Sequence, residues 1–385
     1  KENNILGGAC GVLCPTARLC EKECAATGID RTIRIGKIQR FLVEHSWKIG
    51  FNPLSGGRFE LPPPADGRVA VIGAGPAGLS CAAELAKNGC QVTVFEERPE
   101  PGGVLRYGVP GFRLSADFLK KEIEDVKRLG VTIKTSQGVG PGGPQGLLNK
   151  GYRAVFVGIG LWAPVRHFAG GEGAGVVPSV RFLEQFRCGK PAPRKLCAGK
   201  TVAVIGGGYV AIDCARTALR LGARDVYLVY RRSYSQMPAE EDERLEALNE
   251  GIHFLLLNQP VDYIADKDGH LKGIKLVRTQ LGGIDSSGRR KPVEIRDSGW
   301  TLDAQCAIEA IGSVPDDKTR KLFPSIAVGK GGVILADEKN CRTSGKGVFA
   351  GGDILRGPDL VVTAVRDGKT AAASIADFLE KKRVR

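Results

Sequence analysis

No stretch of this sequence approaches the roughly 20 consecutive apolar residues that a membrane-spanning helix requires. No leader of charged, apolar and small residues opens it either, so the chain is expected in the cytoplasm with no membrane span. Aromatic residues make up only 6% of the 385 positions, and no nucleic-acid-binding motif is visible. The formal charge of +14 is spread along the chain rather than gathered into one stretch. A nucleic-acid partner is therefore not expected, and the charge reads as a solvated basic surface or a docking face for an acidic protein. With four histidines and no Ser/His/Asp constellation, nothing suggests acid–base or nucleophilic hydrolysis. The first residue is Lys1 rather than Met, which reads as a processed chain or a segment of a longer one.

What the chain has in abundance is glycine, 53 residues, and the most ordered use of it lies between Arg68 and Glu97. The apolar run Val69-Ala70-Val71-Ile72 feeds Gly73-Ala74-Gly75-Pro76-Ala77-Gly78. A helical stretch Leu79 to Lys87 and a strand Val92 to Phe95 follow, then Glu96. This is a complete dinucleotide-binding βαβ unit. Gly73 permits the tight turn, Gly75 lets the backbone approach a pyrophosphate, and Gly78 lets helix and strand pack closely. Glu96 stands where an acid accepts ribose hydroxyls, and the helix N-terminus offers free N–H groups to phosphate.

Eleven cysteines could mean disulfides, but Cys10, Cys14, Cys20 and Cys24 crowd into one short N-terminal stretch while the rest are scattered. That pattern suits a thiolate metal site in a reducing compartment. Structural zinc favours paired cysteines separated by a longer loop, whereas Cys14-Pro15 with Cys20 and Cys24 in one loop favours an iron–sulfur cluster. Zinc and unliganded thiols remain the alternatives. Ile35, Ile38, Phe41 and Leu42 recur at helical spacing between Ile33 and Ile49, predicting a helix over the site whose apolar stripe is core. Residues Asn52 to Gly67, with Leu61-Pro62-Pro63-Pro64, read as a semi-rigid linker.

Beyond Glu96 the glycine pair Gly102-Gly103 allows close backbone approach to a ligand. A helical pattern spans Phe118 to Leu129, followed by the strand Val131 to Ile133, a glycine-rich loop containing Val139, and the buried strand Ala154 to Val157. At Lys200 the first pattern begins again: Val202 to Ile205, Gly206-Gly207-Gly208-Tyr209-Val210, a helix through Leu221 and the strand Val226 to Tyr230. Where the first unit has Glu96, this one has Arg231-Arg232. An acid would accept bonds from a free 2′-hydroxyl, whereas two guanidiniums would meet a 2′-phosphate, which predicts NADP(H) over NAD(H). Gly251 to Asp303 reads as mostly antiparallel strands, and Cys306 to Ile311 as a strand ending at Gly312, placing Ala310, Ile311 and Gly312 beneath the nicotinamide. Cys81, Cys90, Cys214, Cys306 and Cys341 read as core or turn thiols, and Cys188 and Cys197 as interdomain residues. Gly351-Gly352-Asp353 follows a further strand; Asp353 is placed to hold a ribityl hydroxyl or water near a flavin pyrophosphate, with a helix-cap role as the alternative. Val361 to Ala364 and a helix Lys369 to Lys381 close the chain.

The fold class expected is α/β: a small helical iron–sulfur domain and linker (1–66), a discontinuous FAD domain (67–190 and 313–385), and an inserted NADP(H) domain (191–312). Cys14-Pro15 with Cys20 and Cys24, Gly73 to Gly78, Gly103 to Gly108, Phe112-Arg113-Leu114, Gly206 to Gly208, Tyr230-Arg231-Arg232, Met237-Pro238-Ala239 and Ala350 to Asp353 together resemble the small subunit of glutamate synthase. The resemblance extends to the FAD-bearing part of dihydropyrimidine dehydrogenase and the large subunit of NADH-dependent ferredoxin:NADP oxidoreductase.

It implies FAD held by Gly73, Gly75, Pro76, Ala77, Gly78, Glu96, Gly103, Val104, Arg113, Val139, Gly352, Asp353 and Val361. NADP(H) falls to Gly206, Gly207, Gly208, Tyr209, Val210, Arg231, Arg232, Ala310, Ile311 and Gly312, and the head carries [4Fe-4S] clusters. Cys14, Cys20 and the non-cysteine position Gln39 match ligands of one cluster, and Cys24 matches a ligand of a second. The family's upstream cysteine group is absent from this sequence, Cys10 has no ligand role in the pattern, and Tyr209 replaces a smaller polar residue.

The activity implied is hydride transfer between nicotinamide and flavin, then release of single electrons to a larger oxidoreductase subunit or ferredoxin in a hetero-oligomer. A flavin-bifurcating subunit and a non-catalytic interaction subunit are the rival readings. Disulfide reduction is disfavoured because no cysteine lies between Cys90 and Cys188.

Overall fold

The computed structural model describes residues 1–54, 67–140, 142–166, 175–285, 288–324 and 326–383. They form two compact units: Lys1–Arg106 with Gly111–Trp162 and Val314–Arg385, and Tyr107–Pro110 with Ala163–Ser313. Most of the expected linker lies outside the described residues. Among the described residues no helix is long and apolar enough to cross a membrane.

The first unit opens with α1 (Gly7–Leu13) and α2 (Ile35–Lys48). They pack where both backbones are bare: a Cβ on Gly11 would sit 2.6 Å from the Gly36 carbonyl oxygen, so only glycine permits this approach. The stripe expected as core is instead exposed, with Ile38 46%, Phe41 61% and Leu42 58% accessible. Only Gly36 and Val43 of α2 are buried, because α1 is half its length and covers one side.

The head is joined by β1 (Arg68–Ile72), α3 (Pro76–Lys87), β2 (Gln91–Phe95), β3 (Thr132–Lys134) and β4 (Ala154–Val157). The returning strand Val348–Ala350 completes a parallel sheet in which it precedes β4, β1, β2 and β3 in spatial order. Val69, Ala70 and Val71 are wholly buried, as a run apolar on both faces must be in a parallel sheet. Ile72 stands opposite both Phe95 and Val157, and Val157 opposite Ala350, so four strands end level on one edge. Pro76 opens α3 at a position whose N–H would have no helical partner. The returning helix Val361–Arg383 crosses α3 at Gly368, where a Cβ would meet the Ala77 carbonyl oxygen at 2.4 Å.

In the second unit Val176–Pro178, Cys306–Glu309, Thr201–Ile205, Asp225–Tyr230 and His253–Leu256 form another parallel sheet in that order. This sheet begins earlier than the expected boundary at residue 191, because the short strand Val176–Pro178 pairs in parallel with Cys306–Glu309. Helices and the buried Phe182, Cys197, Cys214 and Cys306 fill one face. Cys197 is therefore core rather than interdomain, while Cys188 is exposed. Strands Asn258–Ala265, Leu271–Ile284, Arg290–Glu294 and Trp300–Asp303 are antiparallel, and Leu271, Ile274 and Leu276 among them cover the other face.

Candidate functional site

In each parallel sheet the chain leaves the strand before the glycine turn, β1 or Thr201–Ile205, toward one edge and later returns on that strand's other side, which opens a crevice at the carboxyl ends. In the first unit that switch lies between β1 and β4. Gly73 has φ +96°, and a Cβ there would lie 2.6 Å from the Gly158 carbonyl oxygen, so the turns after both strands are in contact. A Cβ on Gly78 would fall 1.9 Å from the Gly73 oxygen, which fixes the third glycine sterically. Gly75 meets nothing closer than 3.9 Å and caps the N-terminus of α3, leaving a bare backbone cradle. The loop carrying Gly103 closes one side: Gly102 N–H donates to the Ala74 carbonyl at 2.8 Å, and a Cβ on Gly103 would sit 2.8 Å from Gly75 Cα.

Glu96 is buried, its Oε2 accepting from Ala74 N–H at 2.8 Å and its Oε1 from Arg98 N–H at 2.9 Å. Each oxygen keeps lone pairs for a sugar hydroxyl. Arg98 stacks 3.8 Å above the Trp162 ring, joining the loops after β2 and β4. Gly352, at φ +74°, approaches α3, where its Cβ would lie 3.0 Å from the Ala77 side chain. Its N–H donates to Asp367 Oδ2 at 3.1 Å, and Asp367 is also gripped by Arg356 Nε at 2.9 Å. Val139 packs against the core beneath this edge, Arg113 is half-buried, Val104 is 43% exposed, and Val361 opens the returning helix. The residues present fit a dinucleotide: a cradle that side chains would fill, a helix N-terminus and a buried acid.

Burial pushes the Asp353 carboxyl up to about 6. A folded-state value above the unfolded one means the native protein binds more protons in that window, so stability falls as pH rises from about 4 to about 6. In flavin-free protein the loss should approach about 2–3 kcal/mol, and Asp353→Asn should remove it. Urea melts at pH 4, 5 and 6 for both proteins check this; parallel curves would exclude it.

The head is anchored by Glu122, which is fully buried. Its Oε1 accepts from Gly8 N–H and Lys1 Nζ, each at 2.9 Å, and its Oε2 from Ala9 N–H at 3.0 Å. Cys10 is buried and takes a bond from Asn4 Nδ2 at 3.3 Å. Hydrogen bonds from the Cys10 thiol and from Val362 N–H hold the Cys14 thiol below its ordinary range. Cys14 thus sits at the start of the returning helix. Gln39 faces α1, with its Cβ 3.1 Å from a Cβ built on Gly11, while Cys20 is exposed and Cys24 half-buried. Among the described residues no three His, Cys, Asp or Glu side chains converge on one point.

The second unit repeats the first crevice. Gly206 has φ +143°, and a Cβ there would meet the Ala310 carbonyl oxygen at 2.4 Å, bringing Gly206 and Ala310 together across the switch. Gly207 lies beneath the Tyr230 ring at 2.6 Å from a built Cβ, and Gly208 faces open space. Tyr209 begins a helix and donates its hydroxyl to Glu240 Oε1 at 3.2 Å, while Val210 is 44% exposed. Ile311 is half-buried, and Gly312, at φ +124°, accepts from Val165 N–H at 3.1 Å.

The two arginines part company. Arg231 is exposed, whereas Arg232 is buried, donating from Nε to the Arg290 carbonyl and from Nη2 to Asp285, both at 2.8 Å. Consecutive residues leaving a strand point to opposite sides, which parts the two guanidiniums that the sequence reading gave one shared role. Sequence reading also missed Asp367, and it missed Glu122 and the Arg98–Trp162 stack, whose partners lie far away in the chain.

Residues 67–368 match the family described as pyridine nucleotide-disulphide oxidoreductase, and residues 1–51 the family described as dihydropyrimidine dehydrogenase domain II, 4Fe-4S cluster. The NADP(+)-dependent formate dehydrogenase subunit beta of Moorella thermoacetica is 39% identical over 99% of this chain and 56% of that protein. The glutamate synthase [NADPH] small chain of Escherichia coli K12 is 35% identical over 98% of this chain and 82% of its own length. The chain thus spans little more than half of the first relative and most of the second. In fold it is similar to Mycobacterium tuberculosis FprA in complex with NADPH, with a TM-score of 0.72 at 20% identity over 84% of this chain and 86% of that one. Lactococcus lactis thioredoxin reductase gives 0.61 at 20% identity over 82% of this chain and 100% of that one. The cofactors are FAD, NADP(H) and a [4Fe-4S] cluster. With its paired nucleotide crevices and cysteine-rich head, the chain belongs to the pyridine nucleotide-disulphide oxidoreductase family, in the branch similar to the glutamate synthase small chain.

Proposed function

We propose that this chain is an electron-input module that takes a hydride from NADPH and delivers electrons singly, through its cysteine-rich head, to a larger oxidoreductase subunit or a ferredoxin. The observation that carries the reading is the position of Cys14. Cys14 ends α1, and α1 packs against the returning helix, whose first residue is the expected flavin contact Val361. On this reading a cluster ligand and the flavin edge lie along one helix within the first unit. When bound, the nicotinamide and flavin supply hydride transfer and the cluster supplies one-electron exit.

The chain's own residues bind and orient. Gly75, Gly103 and the opening of α3 receive the flavin pyrophosphate, Glu96 accepts the ribose hydroxyls, and Asp353 holds the ribityl side. Gly206 to Val210 play the pyrophosphate role in the second unit, and Arg231 meets the 2′-phosphate. Names of the relatives support a subunit role: one is a beta subunit and another a small chain, so the terminal acceptor belongs to a partner.

Anaerobic titration with NADPH and, separately, NADH tests this directly. NADPH should bleach the flavin at lower concentration than NADH, and a reduced-cluster EPR signal should follow. Full bleaching by NADPH with iron bound and no cluster signal would remove the proposed exit route.

A further inference from the structure

We infer that Asp367 is a positioning residue of the flavin site: from the returning helix it clamps both ends of the short helix Asp353–Arg356, and so sets where Asp353 stands relative to the pyrophosphate cradle of α3. The inference rests on the assignment of FAD to the first unit.

The helix Asp353–Arg356 is one turn long and lies between two glycines in the left-handed region, Gly352 at φ +74° and Gly357 at φ +83°. Glycine loses more backbone freedom on ordering than any other residue, so a turn flanked by two of them needs bonds from outside to set it. Asp367 supplies them. Its Oδ2 accepts from Gly352 N–H at 3.1 Å at the front of the turn. At the back, Arg356 Nε donates to Oδ2 at 2.9 Å and to Oδ1 at 3.1 Å. One carboxylate thus closes both ends, and Asp353 is the first residue between them.

The carboxylate is in turn fixed to the cradle. Asp367 is buried, and a Cβ built on Gly351 would lie 2.9 Å from the Asp367 Cβ, so the end of the strand Val348–Ala350 and the returning helix meet without room for a side chain. The next residue, Gly368, is the one that crosses α3 against the Ala77 carbonyl, and Ser80 Oγ donates to the Val365 carbonyl at 2.9 Å. Ala77 and Ser80 belong to the first turns of α3, whose opening at Gly75 and Pro76 is the cradle. Asp353 is therefore placed against the cradle through Gly368, Asp367 and Gly352. Charge favours the same arrangement. A buried carboxylate needs a cation, and Arg356 provides it, whereas the largely exposed Arg366 reaches Oδ1 only at 3.4 Å. Asparagine at this position would keep one acceptor and turn an N–H toward the donors Gly352 and Arg356, which releases one end of the turn.

The test uses the full chain with its flavin removed and measures the dissociation constant for FAD by quenching of flavin fluorescence. Asp367→Asn should weaken FAD by about tenfold or more, the cost of losing a buried charged hydrogen bond, and Asp353→Asn by a similar factor. Because Asp367 acts through the turn, the double variant should bind no more than about threefold worse than the weaker single variant, whereas independent losses multiply. The visible circular dichroism of flavin bound at saturation should change in Asp367→Asn, and Asp367→Glu, which restores the charge, should recover part of the affinity. Where Asp367→Asn misfolds, Arg356→Lys releases the back of the turn and takes its place in the cycle. An FAD affinity within twofold of wild type in Asp367→Asn, or a double variant whose loss is the product of the two single losses, overturns the inference while the flavin assignment stands. If the wild-type apoprotein takes up no FAD, the assignment itself fails and the inference with it.

Discussion

Gly103→Val should purify without flavin, at less than about a tenth of the wild-type flavin-to-protein absorbance ratio, while keeping its secondary structure. Two effects coincide at this residue. Its φ of +54° lies in the left-handed region, which costs a side chain on the order of 1–2 kcal/mol. The added Cβ would also stand 2.8 Å from Gly75 Cα, and neither backbone can yield. Gly75 caps α3, and the neighbouring Gly102 is bonded to the Ala74 carbonyl at 2.8 Å. Any relief must come from pushing the Gly103 loop outward, which opens one wall of the pyrophosphate cradle. Added FAD should raise the melting temperature of the wild-type apoprotein by mass action and leave that of the variant unchanged. A variant that purifies fully yellow would show that this loop does not bound the site.

Both nucleotide crevices were legible because each rests on a local pattern: an apolar strand, spaced glycines and a following helix. The positions Gly73, Gly75 and Gly78 carry their steric reason in the sequence, and the structure adds only what each Cβ would strike. The division of Arg231 from Arg232 was not legible. It depends on Asp285 and Arg290, more than fifty positions later, and on which side of the strand each arginine leaves. The second unit's early start was hidden for a different reason, since Val176–Pro178 is too short to show alternation and counts as a strand only through its pairing. In the head, the period of Ile35, Ile38, Phe41 and Leu42 identified a helix, but periodicity reports an apolar face and not what covers it. Burial of Cys197 was invisible too, because an isolated cysteine reads alike in a core and at a surface. Each miss concerns a partner distant in sequence; each success concerns residues that dictate one another's conformation nearby.

Glu122→Ala should release α1 from the first unit while leaving the flavin edge intact. The carboxylate is wholly buried in the helix Ala116–Lys127, and three donors converge on it: Gly8 N–H, Ala9 N–H and Lys1 Nζ. Alanine leaves two helix-starting amides without an acceptor and a buried ammonium whose remaining acid is Asp125 at 3.4 Å. Removing one member of a buried charged pair costs about 3–5 kcal/mol. Since α1 makes its other close approach to α2 through Gly11, that cost falls on the docking of the head rather than on the sheet. Amide exchange across Gly7–Leu13 should therefore accelerate by roughly a hundredfold or more, the factor that about 3 kcal/mol confers on local opening. Exchange in β1 and α3, and the flavin content, should stay near wild type, while bound iron falls because Cys14 is the residue that caps α1. Glu122→Gln keeps one carbonyl oxygen but turns an N–H toward a donor, so its exchange rates should lie between the two. If α1 exchanges as slowly in Glu122→Ala as in wild type, the head is held by its contact with α2 and the returning helix, and the buried carboxylate is not its anchor.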